Sequence, residues 1–361
     1  MRLHLLGLPH TVTTDEFSHC AFTGKVKKFS PMMRPLGYEL VHYGVEGAQS
    51  GANEQIDLMS REEQYALLGH RYDDKSRFHE AGLSMHAPVF VEFNRRLRER
   101  LEAEVRPGEV VLNTYGYGHH DGVQTHAGVN IESGIGYPDC YLPFRVYDSY
   151  AWQAFQQGKH GWHGSAYEWV VPNYFDVSEW PLQTTPQGYI LYFGRICEVK
   201  GCRVVSEMAR HMPDTEFVLC GQGDPTPYLT SPNIRSLEPV HGRARAEILG
   251  NASVVLMPTQ YIEPFGKVAI EAMLCGTPVL ASDHGAFIET ITPGVTGYRC
   301  RVLHDWISGV ALAQRLNRPA IAAHAAARYS LDVVAKQYDA VFRQLDGLHS
   351  GKHWYTYPST I

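Results

Sequence analysis

Residues 253–282 constrain this chain more than any other stretch. Ser253–Met257 is an unbroken apolar run of the kind that forms a strand buried on both faces of a parallel sheet. A short loop follows, carrying Glu263, Pro264, Phe265 and Gly266. From Lys267 to Cys275 the pattern is helical, and Gly276 supplies a stop. Thr277–Ser282 reads as a second buried strand. The predicted unit is strand, loop, helix, strand.

That order puts Glu263 in the loop beyond a strand's carboxyl end and Glu271 on the helix that follows. Ligands of open α/β sheets sit at that edge. The helix start offers unpaired N–H groups and partial positive charge, which suits a phosphate, and Gly266 lets the backbone come close. Two carboxylates are poor partners for a phosphate and good acceptors for hydroxyls. The local chemistry points to a sugar joined to a phosphate. Either acid alone would more often be a helix cap or a solvated residue; the flanking Pro-Phe-Gly and Cys-Gly-Thr-Pro argue for more.

Upstream, Gly188–Gly194 reads as a strand, with Arg195 and Lys200 just beyond it and a helix over Cys202–His211. A sugar nucleotide leaves as a diphosphate on which negative charge grows. A fixed guanidinium and ammonium there would stabilise that charge. The chain has no Asp-x-Asp triplet, so no metal site is expected and these cations would do the metal's work. Taken blandly, they are two exposed cations at a strand end. Gly221 and Gly223 close the next strand, Thr215–Cys220; alone this is a weak signal, since any strand exit can use glycine.

The segment Glu-Pro-Phe-Gly-Lys-Val-Ala-Ile-Glu-Ala-Met-Leu-Cys-Gly-Thr-Pro-Val, with seven residues between Glu263 and Glu271, resembles the Glu-x7-Glu segment of retaining glycosyltransferases of the family-4 type. Phe193-Gly-Arg-x4-Lys-Gly201 is similar to that family's Gly-Arg-x(4–5)-Lys-Gly, and Pro172-Asn-Tyr-Phe-Asp176 to its hinge segment. The resemblance implies the GT-B fold: α/β, two Rossmann-like domains with parallel sheets facing an interdomain cleft. The expected division is an acceptor-binding domain over residues 1–180 and a nucleotide-sugar-binding domain over 188–334, with a last helix, about 335–361, returning to the first domain.

By the same resemblance Arg195, Lys200 and Glu263 would be catalytic, and His119 or His120 would contact the transferred sugar. Gly194, Gly221, Gly223, Phe265, Gly266 and Lys267 would hold the donor, Glu271 its ribose, and the segment ending at Val240 its base. The donor would be a UDP- or GDP-sugar, UDP favoured, with no other cofactor. The donor's own β-phosphate would take the acceptor's proton on the same face, retaining anomeric configuration.

At 361 residues the chain has length for two full cores. Its net charge of −6 gives no general pull towards nucleic acid. The seven cysteines show no paired spacing and read as reduced, buried thiols. No apolar run approaches membrane-spanning length, and the start reads as a strand rather than a signal peptide, so a cytoplasmic location is expected.

The first half is less explicit. Arg2–Gly7 and Tyr38–Tyr43 read as strands, and residues 11–37 as a loop carrying Lys25, Lys27, Lys28 and Arg34, either solvated or facing an anionic acceptor. Residues 47–57 read as a loop, Ser60–Glu63 as a capping box, and 86–105 as a helix with a solvated arginine face. Thr114–Asp121 reads as a glycine-loosened loop carrying His119, His120 and Asp121, and Glu132 as a cleft residue just past the strand Val129–Glu132. The acceptor needs a free hydroxyl; saccharides, lipid-linked glycans, small molecules and hydroxymethylated DNA bases all remain open. So do two other functions: a sugar-nucleotide 2-epimerase of the same fold, and a non-catalytic sugar-nucleotide-binding module. Oligomeric state is not legible.

Overall fold

The structure is a computed structural model that describes residues 1–17, 20–71 and 84–349. Backbone contacts divide the chain into two units. Unit one comprises Met1–Asp148, Gln156–Tyr174 and the chain from Asp332 onward; unit two comprises Ser149–Phe155 and Phe175–Leu331.

Unit one is built on a parallel sheet of seven described strands: β1 (Arg2–Leu6), β2 (Glu39–Val45), β3 (Glu54–Met59), β4 (Val110–Asn113), β5 (Val129–Ile135), β6 (Arg145–Tyr147) and β7 (Glu168–Val170). Their order across the sheet is β3-β2-β1-β4-β5-β6-β7, every pair parallel. Helices α1 (Ala21–Met33), α2 (Arg61–Leu68), α3 (Pro88–Glu104) and α4 (Tyr150–His160) connect them. The capping box at Ser60 and Glu63 forms as expected. On α3, Val89, Phe90, Phe93, Leu97 and Leu101 are buried at helical spacing. Its solvent side is laced by Arg95 to Glu92 and Glu99 and by Arg96 to Glu63.

Unit two holds a second parallel sheet: β8 (Ile190–Phe193), β9 (Phe217–Cys220), β10 (Ile234–Leu237), β11 (Val254–Met257), β12 (Val279–Ser282) and β13 (Gly297–Cys300), in the order β10-β9-β8-β11-β12-β13. Between them run α5 (Cys202–His211), α6 (Gly242–Asn251), α7 (Lys267–Leu274) and α8 (Phe287–Thr290), followed by α9 (Leu303–Ala313) and α10 (Arg318–Tyr329). The last helix, α11 (Leu331–His349), belongs to unit one from its second residue. The predicted strand, loop, helix, strand unit is β11, α7 and β12. Every residue of β8, β9, β11 and β12 is buried, as their apolar runs require. In each sheet the strands all run parallel, and the order in which they are added reverses between β1 and β4 and between β8 and β11. Open α/β sheets bind ligands outside the carboxyl ends of the strands at such a point.

Four expectations need correction. Residues 21–33 are helix α1, not loop: Gly24 and Pro31 read as breakers, but Val26, Phe29, Met32 and Met33 bury one helical face around them. Residues 54–59 are strand β3. It lies at the sheet edge, where Glu54, Gln55 and Asp57 face solvent while Ile56, Leu58 and Met59 face the core, so it has no continuous apolar run. The glycine-rich stretch after β4 is a turn of 3-10 helix over Gly116–Gly122. Glu132 lies inside β5 rather than beyond it, and β6 was not anticipated. In α11, Tyr338 and Asp339 bond Ser133 and Tyr38 of unit one. Residues 350–361 of the helix expected over 335–361 lie outside the described residues.

Candidate functional site

The reversal point of the second sheet is framed by the loops leaving β8 and β11. Close contacts dictate the glycines on and around them. Gly221, at φ 151°, ends β9 so close to the β8 exit that a Cβ there would lie 1.8 Å from the Gly194 carbonyl oxygen. Gly223 packs against the Ile196 carbonyl in the same way, and the Ile196 amide donates to the Gln222 carbonyl at 2.6 Å. These glycines therefore shape the Gly194–Gly201 loop, whatever else they touch. Gly266, at φ 81°, starts α7 in a left-handed conformation, and a Cβ there would meet the Phe287 ring at 2.5 Å.

Lys200 and Glu263, one from each loop, meet directly: Lys200 Nζ to Glu263 Oε2 is 2.9 Å, with both side chains largely buried. The ammonium also lies 4.7 Å from the Tyr261 ring centroid. Burial works against the Lys200 charge, but Glu263 and Tyr261 outweigh it and the pKa is raised. Arg195 is exposed on the same loop as Lys200, and its carbonyl accepts the Tyr192 hydroxyl. Lys267 opens α7, and Phe265 before it is buried against Phe175 and Tyr329. Ser149 Oγ donates to the Pro264 carbonyl at 2.7 Å and fixes that loop. Val240 is half-buried beside the core under β9 and α6.

Glu271 departs from expectation. It is buried on α7, and its Oε2 accepts from Nη2 of Arg245 on α6. Arg245 was missed, although the helix made it visible. Arg243 and Arg245, two residues apart, point to different sides, so both cannot share one solvated face. Arg243 is 90% exposed and Arg245 only 19%. A cavity of about 480 Å³ on the α5–α9 flank, lined by Glu198, Arg203, Asp283 and Trp306, includes none of Arg195, Lys200, Glu263 or Glu271.

In unit one the expected residues disperse. Lys25 is not available to an anion: its Nζ pairs with Asp148 at 2.6 Å and with the Gly134 carbonyl at 2.8 Å. Lys27 pairs with Asp15, and Lys28 is half-buried on α1. Arg34, past the end of α1, bonds the Gly51 carbonyl near the start of β3, at the sheet edge opposite the one where ligands bind. His119 is wholly buried, its Nδ1 facing Asn113 Oδ1 and its Nε2 the Gly7 carbonyl. Burial pushes its pKa down to about 4, against the Gly7 carbonyl's opposing effect. It ties the exits of β1 and β4 together. His120 stays part-exposed against Tyr117 and Tyr141, its Nδ1 at 2.8 Å from the exposed carboxylate of Asp121. Glu132 is buried, accepting the amides of Tyr141 and Leu142 at 2.8 Å and the Tyr137 hydroxyl. Burial raises its pKa to about 7, partly offset by those amides. It anchors the loop between β5 and β6.

Residues 178–303 match the family of group 1 glycosyl transferases. This part of the chain is a glycosyltransferase group 1 domain. One relative is the alpha-maltose-1-phosphate synthase of Mycolicibacterium smegmatis, 32% identical over 159 residues, 36% of this chain and 40% of the relative. The chain thus spans well under two thirds of that relative. Among solved structures, AviGT4, a glycosyltransferase involved in avilamycin A biosynthesis, superposes with TM-score 0.66 at 17% identity, over 96% of this chain and 98% of AviGT4. Anabaena HepE in complex with UDP-glucose gives 0.63 at 15% identity, over 96% of this chain and 100% of HepE. The fold is GT-B, two Rossmann-like domains, and the family-4-type resemblance of the group 1 domain holds. Among the described residues no helix is long and apolar enough to cross a membrane.

Proposed function

We propose that this protein is a retaining glycosyltransferase that moves a sugar from a nucleoside-diphosphate sugar, UDP favoured over GDP, to an acceptor hydroxyl without a metal ion. The observation that carries the reading is the Lys200–Glu263 contact at the reversal point of the group 1 domain's sheet. An ammonium held at a strand exit next to an exposed arginine is a diphosphate site, and a carboxylate on the neighbouring loop takes sugar hydroxyls. When a donor binds, its diphosphate competes with Glu263 for Lys200, which frees the carboxylate to accept from the sugar. The HepE structure with UDP-glucose lends support to a UDP-sugar.

Arg195 and Lys200 stabilise the leaving diphosphate, the β-phosphate oxygen accepts the acceptor's proton, and the amides of Phe265, Gly266 and Lys267 hold the donor. The acceptor is a neutral, ring-bearing saccharide rather than DNA. Lys25 and Lys27 are spent on Asp148 and Asp15, whereas the exit of β4 presents the Tyr117 and His120 rings, with Tyr141 of the β5–β6 loop packed beside them. Screening sugar nucleotides for hydrolysis in excess EDTA, then acceptors with the matched donor and product configuration by NMR, tests the reading. Inversion, or activity only with added divalent ion, contradicts it.

A further inference from the structure

Arg245 is the charged residue near the donor motifs for which the transfer chemistry has no use. Its guanidinium lies 4.9 Å from the ring centroid of Phe193, the last residue of β8, and 6.0 Å from that of Trp180. Nη2 holds Glu271 Oε2, while Nε is buried with no acceptor among the described residues. Burying a guanidinium and leaving one N–H unpaired is unfavourable unless the pair it makes has a use. Its place, behind the acid that the donor reading assigns to the ribose, indicates one.

Glu271 sits on a buried helix face with its Oε2 occupied, and among the described residues no protein donor reaches Oε1. A free carboxylate grips the two hydroxyls of a ribose with its two oxygens. With Oε2 committed to Arg245, the ribose meets Oε1. We propose that Arg245 is a positioning residue that locks Glu271 in one orientation and makes it a one-oxygen acceptor, so that the enzyme reads the two ribose hydroxyls unequally. The proposal rests on the donor reading and goes beyond it by assigning a nucleoside specificity.

The test is calorimetric titration of the intact protein with UDP, 2′-deoxy-UDP and 3′-deoxy-UDP. For the wild type, loss of one hydroxyl weakens binding roughly tenfold, as for a lost hydrogen bond to a charged group, and loss of the other has little effect. R245M keeps an apolar side chain against Phe193 and releases Oε2. It binds UDP more weakly, and its two deoxy analogues become equivalent, a change that simple loosening of the fold does not produce. Equal penalties for the two analogues in the wild type overturn the proposal without any variant, and so does an R245M protein with wild-type UDP affinity. A wild type that binds neither UDP nor GDP overturns the donor reading and this proposal with it.

Discussion

The two parallel sheets reverse their strand order in the same way and equip the reversal point differently. In unit two the loops leaving β8 and β11 bring charge together: Lys200 against Glu263, with Arg195 exposed nearby. In unit one the loops leaving β1 and β4 are closed by neutral bonds, His119 to the Gly7 carbonyl and Thr114 to the Leu6 carbonyl, and rimmed by rings of Tyr117, His120 and Tyr141. On the proposed function, one architecture would serve two chemistries. Charge on loops shaped by glycine suits a diphosphate; a stiff aromatic rim suits the carbon face of a neutral sugar.

The largest effect should come from the backbone of the charged edge. Gly221→Ala places a methyl 1.8 Å from the Gly194 carbonyl, and no flexible side chain can yield. It should destabilise unit two by at least about 4 kcal/mol, seen as loss of soluble protein or a large fall in melting temperature. A G221A protein of wild-type stability would mean that the two strand exits are not packed as described.

Next comes the charge itself. Lys200→Ala should lower kcat by about a hundredfold to a thousandfold, roughly 3–4 kcal/mol, and weaken donor binding less. The ground-state diphosphate is already charged; the bridging oxygen gains charge only as the glycosidic bond breaks. Steady-state kinetics with saturating donor separate the two, and a change confined to KM would remove Lys200 from catalysis.

Glu132 probes the closed edge. Its folded pKa of about 7 lies above the ordinary value of 4.5, so the folded state binds the proton more tightly than the unfolded state. Its contribution is therefore most favourable at low pH and declines as pH rises from about 4.5 to 7, by up to roughly 3 kcal/mol. Denaturant unfolding across that window should show the decline in the wild type and a flatter profile in Glu132→Gln, which keeps an acceptor for the two loop amides. An unchanged profile in the variant would mean that Glu132 is not the titrating group.

Tyr117→Ala should have the smallest effect. The ring is 44% exposed, so stability should move by less than about 0.5 kcal/mol. The KM for a saccharide acceptor should nevertheless rise several-fold, with UDP affinity unchanged. If acceptor KM does not move, the aromatic rim is not the acceptor surface and the contrast between the two edges loses half its meaning.

What the sequence disclosed follows the same division. The unit β11, α7 and β12 was legible almost to the residue because buried parallel strands are continuous apolar runs and Gly276, at φ 84°, stops the helix. Strand β3 was not, because an edge strand shows its polar side to water, and α1 was hidden by Gly24 and Pro31. Lys200 and Glu263 could be nominated from their spacing, but their contact spans 63 residues and only folding reveals it. The Arg245–Glu271 pair, 26 residues apart on different helices, is likewise a tertiary fact. The basic residues of α1 misled because a run of like charge does not show its partners: Asp148 lies 123 residues from Lys25.

The central claim is that fixed cations at the second sheet's reversal point bind a nucleoside diphosphate with no metal between. Isothermal titration of UDP in excess EDTA tests it most directly, with wild type and Lys200→Ala side by side. Undiminished wild-type binding on chelation, weakened in Lys200→Ala, is the result predicted here. Wild-type binding that disappears with EDTA and returns with a divalent ion would contradict it.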